Sequence, residues 1–178
     1  CNQACLDQIF SGEIASCLVN PFAARELTMQ LLPSTYKKKI AVVGAGVAGL
    51  TAALVLAQRG NEVEVFEQQD SLGGQLRLAA QVPGKEEFFE TIRYYTEQLK
   101  HFGVKIHLNT SFELKNFQEG NFEELVWATG VVPSEYAWEE NDGSLPVLNY
   151  VEAIQKNASL GNEVVVLGAG GIDMDVAS

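Results

Sequence analysis

The run Ile40-Ala41-Val42-Val43-Gly44-Ala45-Gly46-Val47-Ala48-Gly49 is an apolar stretch of strand character that passes into three glycines at the spacing G-x-G-x-x-G. A helix-forming segment follows, and Glu67 stands eighteen residues beyond Gly49, at the end of the alternating run Glu62-Val63-Glu64-Val65-Phe66. Strand, glycine turn, helix, second strand and acid in this order make a dinucleotide fingerprint. The first glycine permits a tight turn, the second lets the backbone approach a pyrophosphate, and the third lets the helix pack on the strand while its N-terminus faces the anion. The Glu67 carboxylate is placed to accept hydrogen bonds from a ribose diol.

Outward from this stretch the remaining elements follow by period and punctuation. The Ala- and Leu-rich segment Val47 to Arg59 predicts a helix with Leu50 and Leu54 on one face, closed by Gly60. Residues 18–34 read as a linker with a short helix over Ala23 to Leu31, ending at Pro33 and Ser34. Ser71-Leu72-Gly73-Gly74-Gln75-Leu76 places a glycine pair in a loop. Phe88, Ile92, Tyr95, Leu99 and Phe102 recur at helical spacing within Glu86 to Phe102, and such a stripe reads as core. Val104 to Leu108 alternates as a third strand, and Phe122 to Ala128 reads as a fourth that runs into Thr129-Gly130. His101 and His107 have no partner nameable from the sequence, Trp127 and Trp138 read as packing residues, and Tyr150 to Lys156 as a short helical run. The last segment repeats the opening theme: a strand over Asn162 to Leu167, then Gly168, Gly170 and Gly171. Here the third glycine position holds Asp173, a bulky and charged replacement where a helix packs closely on a strand near a pyrophosphate.

Composition bounds the rest. The 178 residues can hold one large or two small domains, and 47% hydrophobic residues suit a soluble globular protein. A net charge of −11 repels phosphate backbones, and Lys37-Lys38-Lys39 reads as an isolated, solvated entry to the first strand, so nucleic acid is not expected as a partner. No apolar run approaches the roughly 18 residues of a membrane helix, and no signal segment is visible, so a cytoplasmic location is expected. A start at Cys1 and an end at Ser178 within a helix start suggest a piece of a longer protein.

Cys1, Cys5 and Cys17 are the only cysteines, spaced C-x3-C-x11-C. An odd number at one end does not suit a disulfide framework. Spacing alone leaves an iron-sulfur cluster and plain buried thiols both open. Cys1-Asn2-Gln3-Ala4-Cys5-Leu6-Asp7-Gln8-Ile9-Phe10 followed by Ser16-Cys17-Leu18-Val19-Asn20-Pro21 closely resembles the cluster-binding segment of bacterial 2,4-dienoyl-CoA reductases. These belong to the NADH:flavin oxidoreductase family, which also includes trimethylamine dehydrogenase. The pattern there is C-x2-C-x3-C-x11-C, so the resemblance assigns Cys1, Cys5 and Cys17 to the second, third and fourth ligands of a 4Fe-4S cluster. The first ligand would lie three residues upstream.

The resemblance covers essentially the whole chain. It implies an α/β chain with an iron-sulfur ligand segment and linker over 1–34, an incomplete Rossmann-like FAD-binding domain over 35–132, an interdomain crossing over 133–160, and the start of an NAD(P)-binding domain over 161–178. FAD contacts are implied at Gly44, Ala45, Gly46, Ala48 and Gly49, at Glu67 and Gln68, at the backbone of Gly73, Gly74 and Gln75, and at Thr129 and Gly130. A backbone contact to adenine is implied at Phe112, and nicotinamide-side contacts at Gly168, Gly170 and Gly171. At Asp173 the resembled pattern has Gly, whereas Asp175 matches an acid found there. For a full-length parent it implies electron flow from NADP(H) to FAD, the cluster and FMN in a missing barrel domain, with an unsaturated acyl-CoA as substrate. No catalytic residue is visible in this chain, which is not expected to turn over alone. The alternatives are an ADP-binding structural domain of a trimethylamine-dehydrogenase-like enzyme, and a non-catalytic nucleotide-binding module.

Overall fold

The computed structural model describes residues 4–17, 19–134, 146–155 and 163–177. In chain order its elements are α1 (Ala4–Phe10), β1 (Lys39–Val43), α2 (Val47–Gln58), β2 (Glu62–Phe66), α3 (Gln75–Ala79), α4 (Phe88–His101), β3 (Lys105–His107), α5 (Leu114–Glu119), β4 (Glu124–Trp127), α6 (Tyr150–Gln155) and α7 (Gly171–Ala177). The four strands form one parallel sheet in the order β3-β2-β1-β4. β1 therefore sits where the strand order changes direction. That is the topological switch point of an open α/β sheet, with ligands expected outside the C-terminal ends of the strands.

Alternation decides what each face of the sheet meets. Val42, Val63 and Val65 join Leu50, Ala53, Leu54 and Ala57 of α2 and Ile92, Tyr95 and Leu99 of α4 in the main core. Each large side chain so buried contributes about 1.5–3 kcal/mol. The Tyr95 hydroxyl, which could not stay unpaired in that core, meets Thr51 Oγ1 at 2.6 Å. On the opposite face Ala41 and Phe66 pack with Phe122, against which Phe112 and Phe117 rest. The helical stripe holds as core for Phe88, Ile92, Tyr95 and Leu99, but Phe102 lies just past the end of α4 and is exposed, edge-on to His101.

Several expectations are corrected. Residues 23–31 form turns instead of a helix: Asn20 Oδ1 accepts from the Phe22 amide at 3.1 Å, and Ala24 lies at φ 61°, which interrupts the right-handed path. Trp127 does not pack, being 66% exposed on the edge strand β4, while Trp138 lies outside the described residues. Residues 163–167 enter no ladder, and Val165 is 84% exposed. A strand is completed by a neighbour's hydrogen bonds, and among the described residues none lies beside this run. Three helices went unread: α1 in the cysteine segment, α3 after the glycine pair, and α5, which is closed by a reciprocal cap between Glu113 and Asn116. Their five to seven residues are too few to show a period.

The lysine run is also less solvated than expected. Lys38 pairs with Glu124, and Lys39 lies 3.2 Å from the buried Glu64 carboxylate. Glu64 also takes Lys105 at 3.3 Å and His107 Nε2 at 2.8 Å, so His107 has a partner after all, and its ring stacks on Phe66 at 4.6 Å. Burial pushes the Glu64 carboxyl up, but the hydrogen bonds from His107, Lys39 and Lys105 outweigh it and leave the group below its ordinary value. A carboxylate depressed on folding adds stability above its unfolded pKa, and that stability is lost as pH falls through the folded pKa. The melting-temperature advantage of wild type over Glu64→Gln is therefore expected to be present at pH 7 and to shrink below about pH 4. An advantage independent of pH would show that the charge on Glu64 contributes nothing.

Candidate functional site

The glycine loop leaves β1 at its C-terminal end. Gly44 takes φ 97°, a conformation costly for a residue with a side chain. A Cβ there would overlap the Ala128 carbonyl oxygen and stand 3.1 Å from Thr129 Cα. The chain leaving β4 thus crosses directly over the loop, held by the Ala128 amide donating to the Val43 carbonyl at 2.8 Å. Gly49 is buried, and a Cβ on it would overlap the Gly44 carbonyl oxygen and lie 3.0 Å from its carbon, so the close helix-to-strand approach assigned to the third glycine is present. Gly46 differs from both. It is the N-cap of α2 in an extended conformation, with no side-chain cap, and nothing lies within 4 Å of where its Cβ would be.

The loop lies against a second glycine turn. The Gly73 amide donates to the Ala45 carbonyl at 2.8 Å, and Gly46 and Gly73 form an isolated parallel bridge. A Cβ on Gly73 would lie 2.6 Å from Ile92 Cδ1, and one on Gly74 3.0 Å from Gly46 Cα. One glycine of the pair is therefore demanded by α4 and the other by the fingerprint loop. Gln75 opens α3 and uses its side chain as a tie: Nε2 donates to the Val131 carbonyl at 2.9 Å, and Oε1 accepts from the Tyr150 hydroxyl at 3.3 Å. The bridging roles of Val131 and Tyr150 had no signal in the sequence.

Glu67 is buried at the end of β2. Its Oε2 accepts from the Ala45 amide at 2.7 Å and its Oε1 from the Gln69 amide at 2.9 Å. Its backbone is held as well, the amide donating to His107 and the carbonyl accepting from Thr110. An ionised carboxylate offers about four lone-pair sites, so two hydrogen bonds to the backbone leave capacity for a diol. Gln68 is exposed beside it. Phe112 is a half-buried packing residue, its ring 4.8 Å from that of Phe66. Gly44 to Gly49, Glu67, Gly73 to Gln75 and Ala128 to Gly130 are thus brought together, with Ala48, Thr129 and Gly130 exposed.

The arrangement fits the adenosine diphosphate portion of a dinucleotide. The first-turn amides of α2 have no intrahelical acceptor and lie at the positive end of the helix dipole. The N-cap that precedes them is Gly46, with nothing within 4 Å of where its Cβ would be. By contrast, a cavity of about 410 Å³ lined by Lys37, Lys38, Lys39, Asn61, Glu62 and Glu123 lies at the N-terminal ends of the strands. That is the wrong end for a dinucleotide, and Lys38 and Lys39 there are already paired.

Residues 38–178 match the family described as Pyridine nucleotide-disulphide oxidoreductase. The chain belongs to that family. It is 36% identical over 181 residues to a metal reductase of Desulforamulus reducens, covering 99% of this chain and 27% of that protein. It is 30% identical over 177 residues to a cinnamate reductase of Clostridium sporogenes, covering 99% and 26%. The solved structure of 2-naphthoyl-CoA reductase with 2-naphthoyl-CoA superimposes with a TM-score of 0.90 at 35% identity, over 99% of this chain and 27% of that one. The chain spans about a quarter of the length of these relatives. Family and neighbours agree with the parallel α/β sheet and with an oxidoreductase domain of the FAD- and pyridine-nucleotide-binding kind.

Two expected groups fit less well. Cys5 lies on α1 and Cys17 in the following loop, both half-buried free thiols, while Cys1 is outside the described residues. Among the described residues no three His, Cys, Asp or Glu side chains are grouped to hold a metal, so these residues do not by themselves make a cluster site. In the second glycine loop, Asp173 turns back over Gly168 and Gly170. No helix among the described residues is long and apolar enough to cross a membrane.

Proposed function

We propose that this chain is the FAD-binding electron-transfer part of a larger cytoplasmic NAD(P)H-dependent oxidoreductase that reduces an unsaturated acyl-CoA. The observation that carries this reading is the open position at Gly46, at the uncapped start of α2 and opposite Gly74, with Glu67 anchored beside it. In this reading residues 35–132 hold the cofactor, 133–160 cross between domains, and 161–178 begin the pyridine-nucleotide domain. The α2 amides and the backbone of Gly73, Gly74 and Gln75 would face the pyrophosphate, Glu67 the ribose with Gln68 at its rim, and the backbone near Phe112 the adenine. Thr129 and Gly130 would pass beside the dinucleotide without a bulky side chain in the way. Bound FAD would supply a flavin able to accept a hydride from NAD(P)H and pass on two electrons. The overall balance is one NAD(P)H and one proton consumed for each carbon-carbon double bond saturated. The acyl-CoA class draws support from the similar naphthoyl-CoA reductase, which was solved with an acyl-CoA. Cys1, Cys5 and Cys17 would be cluster ligands in the whole protein.

The test is to denature the purified full-length protein and separate the released nucleotide by chromatography. FAD near one equivalent per chain is expected. ADP alone would replace this reading with that of a structural nucleotide domain.

A further inference from the structure

The two glycine loops of the chain can be compared position by position. In the first, Gly49 approaches Gly44 so closely that even a Cβ would collide. In the second, the equivalent residue is Asp173, and its carboxylate lies against Gly168, where a Cβ would stand 2.5 Å from Oδ1 and overlap the other carboxylate atoms. Gly168 takes φ 141°, so only glycine suits this backbone and leaves room for the acid. Asp173 Oδ2 then accepts a hydrogen bond from the Gly170 amide at 2.8 Å. Gly170 stands where Gly46 stands in the first loop. It is the position at which the backbone is left bare for a pyrophosphate.

We propose that Asp173 is an internal anion that occupies the second glycine loop, so that a pyridine-nucleotide pyrophosphate enters only by expelling its carboxylate. Two observations carry this independently: the hydrogen bond that uses the Gly170 amide, and the volume over Gly168 that the carboxylate fills. A third keeps the acid in place. Lys85 Nζ holds both oxygens of Asp175 at 2.6 Å, which ties α7 to the segment between α3 and α4, whereas among the described residues no cation pairs with Asp173. An incoming pyrophosphate therefore meets a negative charge, with no counter-ion among the described residues, on the donor it would otherwise use. The second loop is built as a weak nucleotide site, and Asp173 sets its affinity.

This inference rests on the proposed reading in taking the second loop as the pyridine-nucleotide side, and its test separates the two. NADH and NADPH binding to the full-length protein would be followed by nicotinamide fluorescence for wild type, Asp173→Gly and Asp173→Asn, with FAD content measured on the same samples. Asp173→Gly is expected to bind at least tenfold more tightly than wild type. Asp173→Asn, which keeps the volume and drops the charge, is expected to fall between them. Equal affinities, or no binding by any of the three, would overturn the role of Asp173. Tighter binding by the variants in a protein that holds no FAD would leave that role intact and overturn the flavin reading instead.

Discussion

Replacing Gly49 with alanine is expected to cost about 3 kcal/mol or more of folding stability, because overpacking that rigid atoms cannot relieve sits at the top of the usual range. The clash is with the Gly44 carbonyl, which is backbone, and Gly44 is itself pinned by Ala128 crossing above it. No flexible side chain can yield. Gly46→Ala should behave in the opposite way, since nothing lies within 4 Å of the new methyl group and the residue is in an ordinary extended conformation. Its stability should fall by less than about 1 kcal/mol, the scale of an N-cap change. The methyl group would nevertheless stand in the approach to the α2 amides, and losing one charge-assisted hydrogen bond of about 1.5–3 kcal/mol lowers affinity roughly 10- to 100-fold. Urea unfolding and FAD titration of the two variants would check this. A Gly46→Ala protein that unfolds early yet binds normally would show that the loop is structural only.

The second large effect is expected at Glu67. In Glu67→Gln one of the two oxygens becomes an NH2 group, which would face an amide donor at Ala45 or Gln69 instead of accepting from it. A buried donor left without an acceptor costs about 1–3 kcal/mol, and the residue is buried. The same change removes the negative charge proposed to hold the ribose diol, so FAD affinity should drop along with the unfolding midpoint. A residue that only touched ribose would lose affinity and leave stability alone. Equal unfolding midpoints for wild type and Glu67→Gln would therefore show that the carboxylate does not hold the loop.

The first loop was legible in advance because its signals are local. An apolar run of four, glycines two and three residues apart, a 12-residue helix and an alternating strand each leave a pattern inside a short window. The stripe from Phe88 to Leu99 was legible for the same reason. Expectations failed where the outcome depended on a partner distant in sequence. Trp127 reads as a packing residue, but it lies on the edge strand and is mostly exposed. His107 has no partner nameable from the sequence, because strand pairing brings it to Glu64 from 43 residues away. The run from Val164 to Leu167 has strand composition and no strand beside it among the described residues.

By itself, the sequence determined the fold class and the order of strand, glycine turn, helix and strand around the first loop, because glycine spacing and hydrophobic period report local backbone geometry. Only the tertiary structure decided that Glu67 holds the Ala45 amide, that Gly74 rests on Gly46, and that Ala128 closes over Gly44. It also decided that Asp173 lies folded onto Gly170 instead of pointing away from it. The Asp173 contact is local but depends on which way one side chain turns, whereas the others join residues that spacing cannot bring together. The contacts of Glu67, Gly74 and Ala128 depend on parallel strand pairing, which sets Val43 beside both Phe66 and Trp127 and so gathers three separate turns at one end of the sheet.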